Sequence, residues 1–154
     1  MRLSRRALVL LTTLATLIGA NLLISTPAQA ATSCSGTITY SESFSYPGEG
    51  VIGELTIYYN SSNGGTNSAC FYHRGRSYGV ATDTWVYIMR CSQTSGEGQQ
   101  CHSVAAGGYD QGKYAYQAGP VGVTGTANYC VAAVGYIAWH GVTIGPDSAW
   151  TRGC

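Results

Sequence analysis

Beyond position 30 this chain contains one leucine, Leu55, and one lysine, Lys113. Strong helix formers are therefore nearly absent from most of its length. The apolar supply is Val, Ile, Ala and aromatics, including all twelve tyrosines and all three tryptophans. Such residues fit a pleated, half-buried surface, so the composition points to an all-β fold.

Periodicity agrees. Residues 54–59 alternate in polarity, and 84–91 read as a strand buried on both faces. Residues 113–118 alternate again, and 128–134 continue in the same style. Turn-rich stretches separate these runs at 60–67, 93–100, 107–112 and 145–147. Short strands with Gly/Asn/Ser loops predict antiparallel hairpins in a β-sandwich or small barrel. Asn60-Ser61-Ser62 is chemically a glycosylation sequon and reads as part of a turn.

The N-terminal segment reads as an export signal. Arg2, Arg5 and Arg6 precede an apolar stretch over 7–24, and Ala28-Gln29-Ala30 supplies a small-x-small cleavage site. Cleavage after Ala30 is favoured over a retained membrane anchor. Arg5-Arg6 also resembles a twin-arginine signal, although the general secretion route is preferred. The expected mature protein is a single secreted domain, 31–154, long enough for a real core. It keeps five basic residues against seven acids, a net charge of −2, and carries no basic patch. A nucleic-acid partner thus has no electrostatic support, and no membrane association is expected after cleavage.

All six cysteines follow the signal, so disulfides are expected in an oxidising compartment. Cys91 and Cys101 flank a polar loop and would staple a hairpin. Cys70 and Cys130 are placed to join two sheet elements, and Cys34 and Cys154 to tie down the termini. No C-x-x-C pair exists, and His73, His102 and His140 are scattered, so no metal or other cofactor is expected.

Chemistry has few footholds. Gly75-Arg76-Ser77-Tyr78-Gly79 matches a nucleophile-elbow pattern, with Asp110 and His140 following, but nothing after Gly79 reads as the helix this motif requires. Glu42, Glu49, Glu54 and Asp83 are carboxylates that glycosidase chemistry would need in facing pairs. Aromatics are the stronger lead, because a ring can stack on the C–H face of a sugar. Tyr58, Tyr72, Trp85, Tyr87, Trp139 and Trp150 are the candidates. Trp85 lies in an apolar run and is expected in the core, whereas Trp139 and Trp150 have polar neighbours. Tyr58, Trp139 and Trp150 are the predicted ligand-binding residues; no residue is predicted to be catalytic.

Four segments carry a resemblance. They are 51–64, Ala69-Cys70, 112–121 with its Tyr116-Gln117-Ala118-Gly119-Pro120-Val121 block, and Cys130-Val131 followed by Cys154. Together they resemble the spore-associated protein family of filamentous spore-forming bacteria. The resemblance implies a small exported protein found with spores or the cell surface. It implies cysteines matching Cys34, Cys70, Cys130 and Cys154, which leaves Cys91 and Cys101 as an additional pair. It implies no catalytic residues. The resulting expectation is a secreted, non-catalytic protein at the spore or cell-wall surface, with polysaccharide as a partner. The alternatives are a small carbohydrate-binding module acting alone and a small secreted hydrolase.

Overall fold

The computed structural model describes residues 33–154. The export segment and its cleavage site lie outside the described residues. Two four-stranded antiparallel sheets face each other. Sheet A is ordered β1 (Thr37–Tyr46), β2 (Gly50–Asn60), β3 (Thr66–His73) and β6 (Gln117–Thr124). Sheet B is ordered β5 (Ser103–Tyr114), β4 (Thr82–Cys91), β7 (Val131–Trp139) and β8 (Val142–Ile144). The fold is a disulfide-stapled all-β sandwich.

Alternation decides which side chains meet between the sheets. Leu55 and Ile57 of β2 and Ala69 and Phe71 of β3 meet Val86 and Ile88 of β4 and Ala133 and Ile137 of β7. Phe71 sits where both sheets provide glycine. A Cβ at Gly53 would lie 2.7 Å from its ring, and one at Gly135 would lie 2.6 Å from it. Two strands thereby come close enough to clamp one large ring.

Four element assignments change. Residues 84–91 are buried on one face only, since Trp85 and Tyr87 are half-buried while Thr84, Val86 and Ile88 are buried. Residues 113–118 are not one strand: β5 ends at Tyr114, Ala115 and Tyr116 turn, and β6 starts at Gln117. Residues 107–112 are not a loop but the middle of β5. Their glycines reflect close approach rather than a turn. A Cβ at Gly107 would stand 2.6 Å from the Ile88 carbonyl oxygen and 2.9 Å from that of Gly122 in β6. Finally, β7 begins at Val131, three residues later than the sequence pattern indicates.

Cysteine pairing is partly corrected. Cys91–Cys101 forms as expected, with Cα atoms 5.3 Å apart. The other bridges are Cys34–Cys70 and Cys130–Cys154, not Cys70–Cys130 and Cys34–Cys154. The reason is topological. Cys70 alternates with the core residues Ala69 and Phe71, so it points off the outer face of sheet A. There the N-terminal segment crosses it, held also by Ser68 Oγ donating to the Ser33 carbonyl at 2.7 Å. Cys130 instead clusters with Cys91 and Ala132 on sheet B. Stacked sheets are about 10 Å apart, beyond the ~7 Å Cα limit for a disulfide.

The C-terminal tail closes one side of the sandwich. Val131 and Arg152 exchange backbone hydrogen bonds of 2.9 and 2.7 Å. Thr151 is fully buried, its amide donating to Gln99 and its hydroxyl to Gly96 in the loop that Cys91–Cys101 staples. The two late bridges therefore hold one unit, loop plus tail.

His73 is a buried polar residue within the core-facing row of β3. Burial pushes its pKa below the usual 6.5. The neutral ring donates from Nδ1 to the Ser77 carbonyl at 3.1 Å and accepts at Nε2 from Thr84 Oγ1 at 2.7 Å. In the unfolded chain the ring takes up a proton below about 6.5, while the folded ring resists it. Unfolding therefore binds a proton, and stability falls as pH drops through that value, by up to about 1.4 kcal/mol per pH unit. Urea unfolding at a series of pH values should show stability falling as pH drops below about 6.5. His73→Gln should flatten it.

Candidate functional site

The outer face of sheet B carries four aromatic side chains, Trp85, Tyr87, Tyr109 and Tyr136. This follows from the alternation in β4: Val86 and Ile88 go inward, and Trp85 and Tyr87 go outward. Register then brings in the neighbouring strands. Trp85 lies opposite Tyr136 of β7 on one side and Gln111 of β5 on the other. Tyr87 lies opposite Val134 and Tyr109 in the same way. Trp85 and Tyr136 pack with ring centroids 4.9 Å apart. Tyr109 is 73% exposed, so its ring is held out to solvent rather than used for packing. Successive outward residues are about 7 Å apart along a strand, and neighbouring strands about 4.8 Å apart. Four rings thus share one face of three adjacent strands, with Trp85 and Tyr136 tilted 52° to each other. Asp83 and Lys113 face each other in register at its margin.

Trp85 was expected in the core and is instead half-buried in this outer face. Trp139 is the converse: its ring is buried, and its indole N–H donates to Glu49 at 3.0 Å. Glu49 also accepts from His140 at 3.0 Å, and these bonds hold its carboxyl below the usual carboxylate range. Tyr58 lies on the outer face of sheet A, its hydroxyl 2.8 Å from that of Tyr72. Beside it Arg74 stacks on Tyr72 at 4.6 Å and pairs with Glu54 at 2.9 Å. That guanidinium lowers the Glu54 pKa, and burial raises that of Tyr72. Trp150 is 38% exposed in the C-terminal tail, near Tyr40, Glu42 and Arg152. The structure does not bring Tyr58, Trp139 and Trp150 to one surface. Tyr109 and Tyr136 were missed. The alternation of aromatic and β-branched residues over 84–88 marks Trp85 and Tyr87 as one outward row, but no local pattern marks Tyr109 or Tyr136.

The serine motif is not assembled. Ser77 is fully buried in a 3-10 turn, and its hydroxyl is shared among the backbone groups of Ile52 and Arg74. Asp110 accepts from the Tyr114 hydroxyl and the Gly119 amide, and His140 serves Glu49. Ser77 instead locks this turn against β2. The Ile52 carbonyl and the Arg74 amide and carbonyl each also hold a backbone partner, so Ser77→Ala removes hydrogen bonds without stranding a group and should cost about 0.5–1.5 kcal/mol in denaturant unfolding. Three of the four candidate carboxylates are separately engaged, Glu42 by the Tyr40 hydroxyl, Glu49 by Trp139 and Glu54 by Arg74, and Asp83 lies opposite Lys113 at the margin of sheet B. Among the described residues no three His, Cys, Asp or Glu side chains gather to hold a metal ion. No helix among them is long and apolar enough to cross a membrane.

The fold and this surface define a disulfide-stapled antiparallel β-sandwich with an aromatic outer face. Comparison with protein-family models, with curated proteins and with solved structures finds no match to the chain.

Proposed function

We propose that this chain is a non-catalytic protein of the cell exterior, held at a spore or cell-wall surface by stacking polysaccharide on the outer face of sheet B. The observation that carries this reading is the set Trp85, Tyr87, Tyr109 and Tyr136 on one face, with Tyr109 mostly exposed. An aromatic face is poorly hydrated, and a sugar ring's C–H face can cover one such ring without stranding a polar group. Gln111, in register beside Trp85, offers an amide to hydroxyls at the ring edge. The other supports are the export-like segment, three disulfides suited to an oxidising compartment, and the resemblance to spore-associated proteins.

The hydrolase reading has less to stand on, because Ser77 is buried and three of the four candidate carboxylates are engaged apart from one another. The test is retention. The exported protein is mixed with washed spores, isolated cell walls, chitin and cellulose, and the unbound fraction is measured. The proposal expects depletion by at least one polysaccharide or wall fraction. Protein found only free in the medium, with a hydrolytic activity abolished by one carboxylate substitution, would overturn it.

A further inference from the structure

Two connections cross between the sheets side by side at one end of the sandwich. Residues 74–81 lead from β3 to β4, and Ala115-Tyr116 lead from β5 to β6. Backbone hydrogen bonds tie them together. The Gly79 amide donates to the Ala115 carbonyl and the His73 amide to the Tyr116 carbonyl, each at 2.8 Å. Each connection presents one tyrosine. Tyr78 is 62% exposed and Tyr116 is 56% exposed, yet their ring centroids lie 5.0 Å apart with the planes at 63°. Among the described residues they are the one pair of tyrosine rings packed on each other.

Two rings left largely in water add little burial to the fold. What their arrangement supplies is reach: two phenols open to a reagent, in contact, and held there by fixed backbone. We propose that Tyr78 and Tyr116 form a cross-linking site, joined as dityrosine by hydrogen peroxide acting through a haem peroxidase. Each phenol gives up one electron and its hydroxyl proton. The two ring radicals then couple through one Cε carbon of each, forming a C–C bond. The hydrogen on each bonded carbon moves as a proton to the ring oxygen, which restores both hydroxyls. The two electrons and two protons removed reduce one peroxide to two waters. Rings already in contact couple with each other before they meet a second molecule, because their encounter is intramolecular.

Placement gives the bond a consequence. Cys91–Cys101 and Cys130–Cys154 lie at the opposite end, where β4 finishes and β7 begins, and Cys34–Cys70 lies on the outer face of sheet A. Among the described residues no disulfide reaches the end that carries the two connections. A bond there would tie both crossings between the sheets and restrict the unfolded chain as a disulfide does. Other neighbouring tyrosines are less suited. Tyr58 and Tyr72 meet through their hydroxyls at 2.8 Å, and Arg74 covers the Tyr72 ring at 4.6 Å. Burial also raises the Tyr72 pKa, which opposes loss of its proton. Tyr109 is opposite Tyr87, which is half-buried. The site shares no residue with the aromatic face of sheet B and does not rest on glycan retention.

The test treats the dilute exported protein with hydrogen peroxide and a haem peroxidase, then separates monomer from dimer. The proposal expects dityrosine fluorescence in the monomer and a mass lower by two hydrogen atoms. Tandem mass spectrometry should place the bond between Tyr78 and Tyr116. Tyr78→Phe and Tyr116→Phe should each abolish the monomer's fluorescence while keeping the parent's circular dichroism spectrum. Tyr58→Phe and Tyr129→Phe should leave the fluorescence unchanged. The linked monomer should melt several degrees above the unlinked one. Four results would overturn the proposal: no dityrosine, dityrosine confined to dimers, a bond at Tyr58–Tyr72 or Tyr87–Tyr109 instead, or a linked monomer that melts no higher than the unlinked one.

Discussion

Phe71→Ala should cost this fold about 3–5 kcal/mol, the upper range for deletion of a buried aromatic. The ring is fully buried and is the largest such side chain in the core. It stacks on Phe44 with centroids 5.9 Å apart. Two of its neighbours, Gly53 and Gly135, have no side chains that could swing into the vacated space. The cavity would therefore stay open, and the cavity contribution would add to the lost burial. For a domain of this size the melting temperature should fall by about 10–20 °C. Gly135→Ala should also destabilise, because its new methyl would meet the Phe71 ring and the Trp85 carbonyl. Thermal and urea unfolding of the two variants check both expectations. A Phe71→Ala protein as stable as the parent would mean the sheets are not clamped at this ring.

The fold class was legible because composition and period 2 agree: with only one Leu and one Lys beyond position 30, and with Val, Ile and Tyr in alternation, little but antiparallel sheet remains. The hairpin over 91–101 was legible too, since its cysteines bracket one polar loop. What the sequence hid was which way each row faces. Trp85 sits among Val86 and Ile88, and an apolar run does not say that one face is left to solvent. Trp139 has polar neighbours in sequence, yet Glu49 from the β1–β2 turn, ninety positions away, captures its N–H and lets the ring enter the core. Gly107 and Gly108 look like turn residues because the demand they meet comes from the distant β6. The cysteine pairing depended in the same way on which sheet each cysteine joins. The aromatic face needed three strands in register, and Tyr109 and Tyr136 enter it only through pairings that no local pattern encodes.

The second large effect concerns that face. Removing Tyr87 and Tyr109 together should lower affinity for the retained polysaccharide about 100-fold. In the proposed mode each ring would supply stacking area at the centre of a small contact, and truncating an aromatic anchor typically costs more than about 1 kcal/mol. Since 1.4 kcal/mol is tenfold in affinity, two rings give about two orders of magnitude. Stability should change far less than for Phe71→Ala, because Tyr109 is mostly exposed and cross-strand pairs contribute only about 0.2–1 kcal/mol each. The proposed binding and the folding should therefore be separable at this surface. At Trp85 they are not, since its ring also packs on Tyr136.

Tyr109→Ala isolates the central claim best, because its ring is the most solvent-exposed of the four and the least involved in packing. The measurement is a depletion isotherm on the retaining polysaccharide for the parent and this variant, with melting temperatures recorded on the same samples. The account predicts an affinity about tenfold weaker at a melting temperature within a few degrees of the parent's. Unchanged affinity, with the variant fully folded, would contradict the assignment of the outer face of sheet B as the surface that holds the glycan.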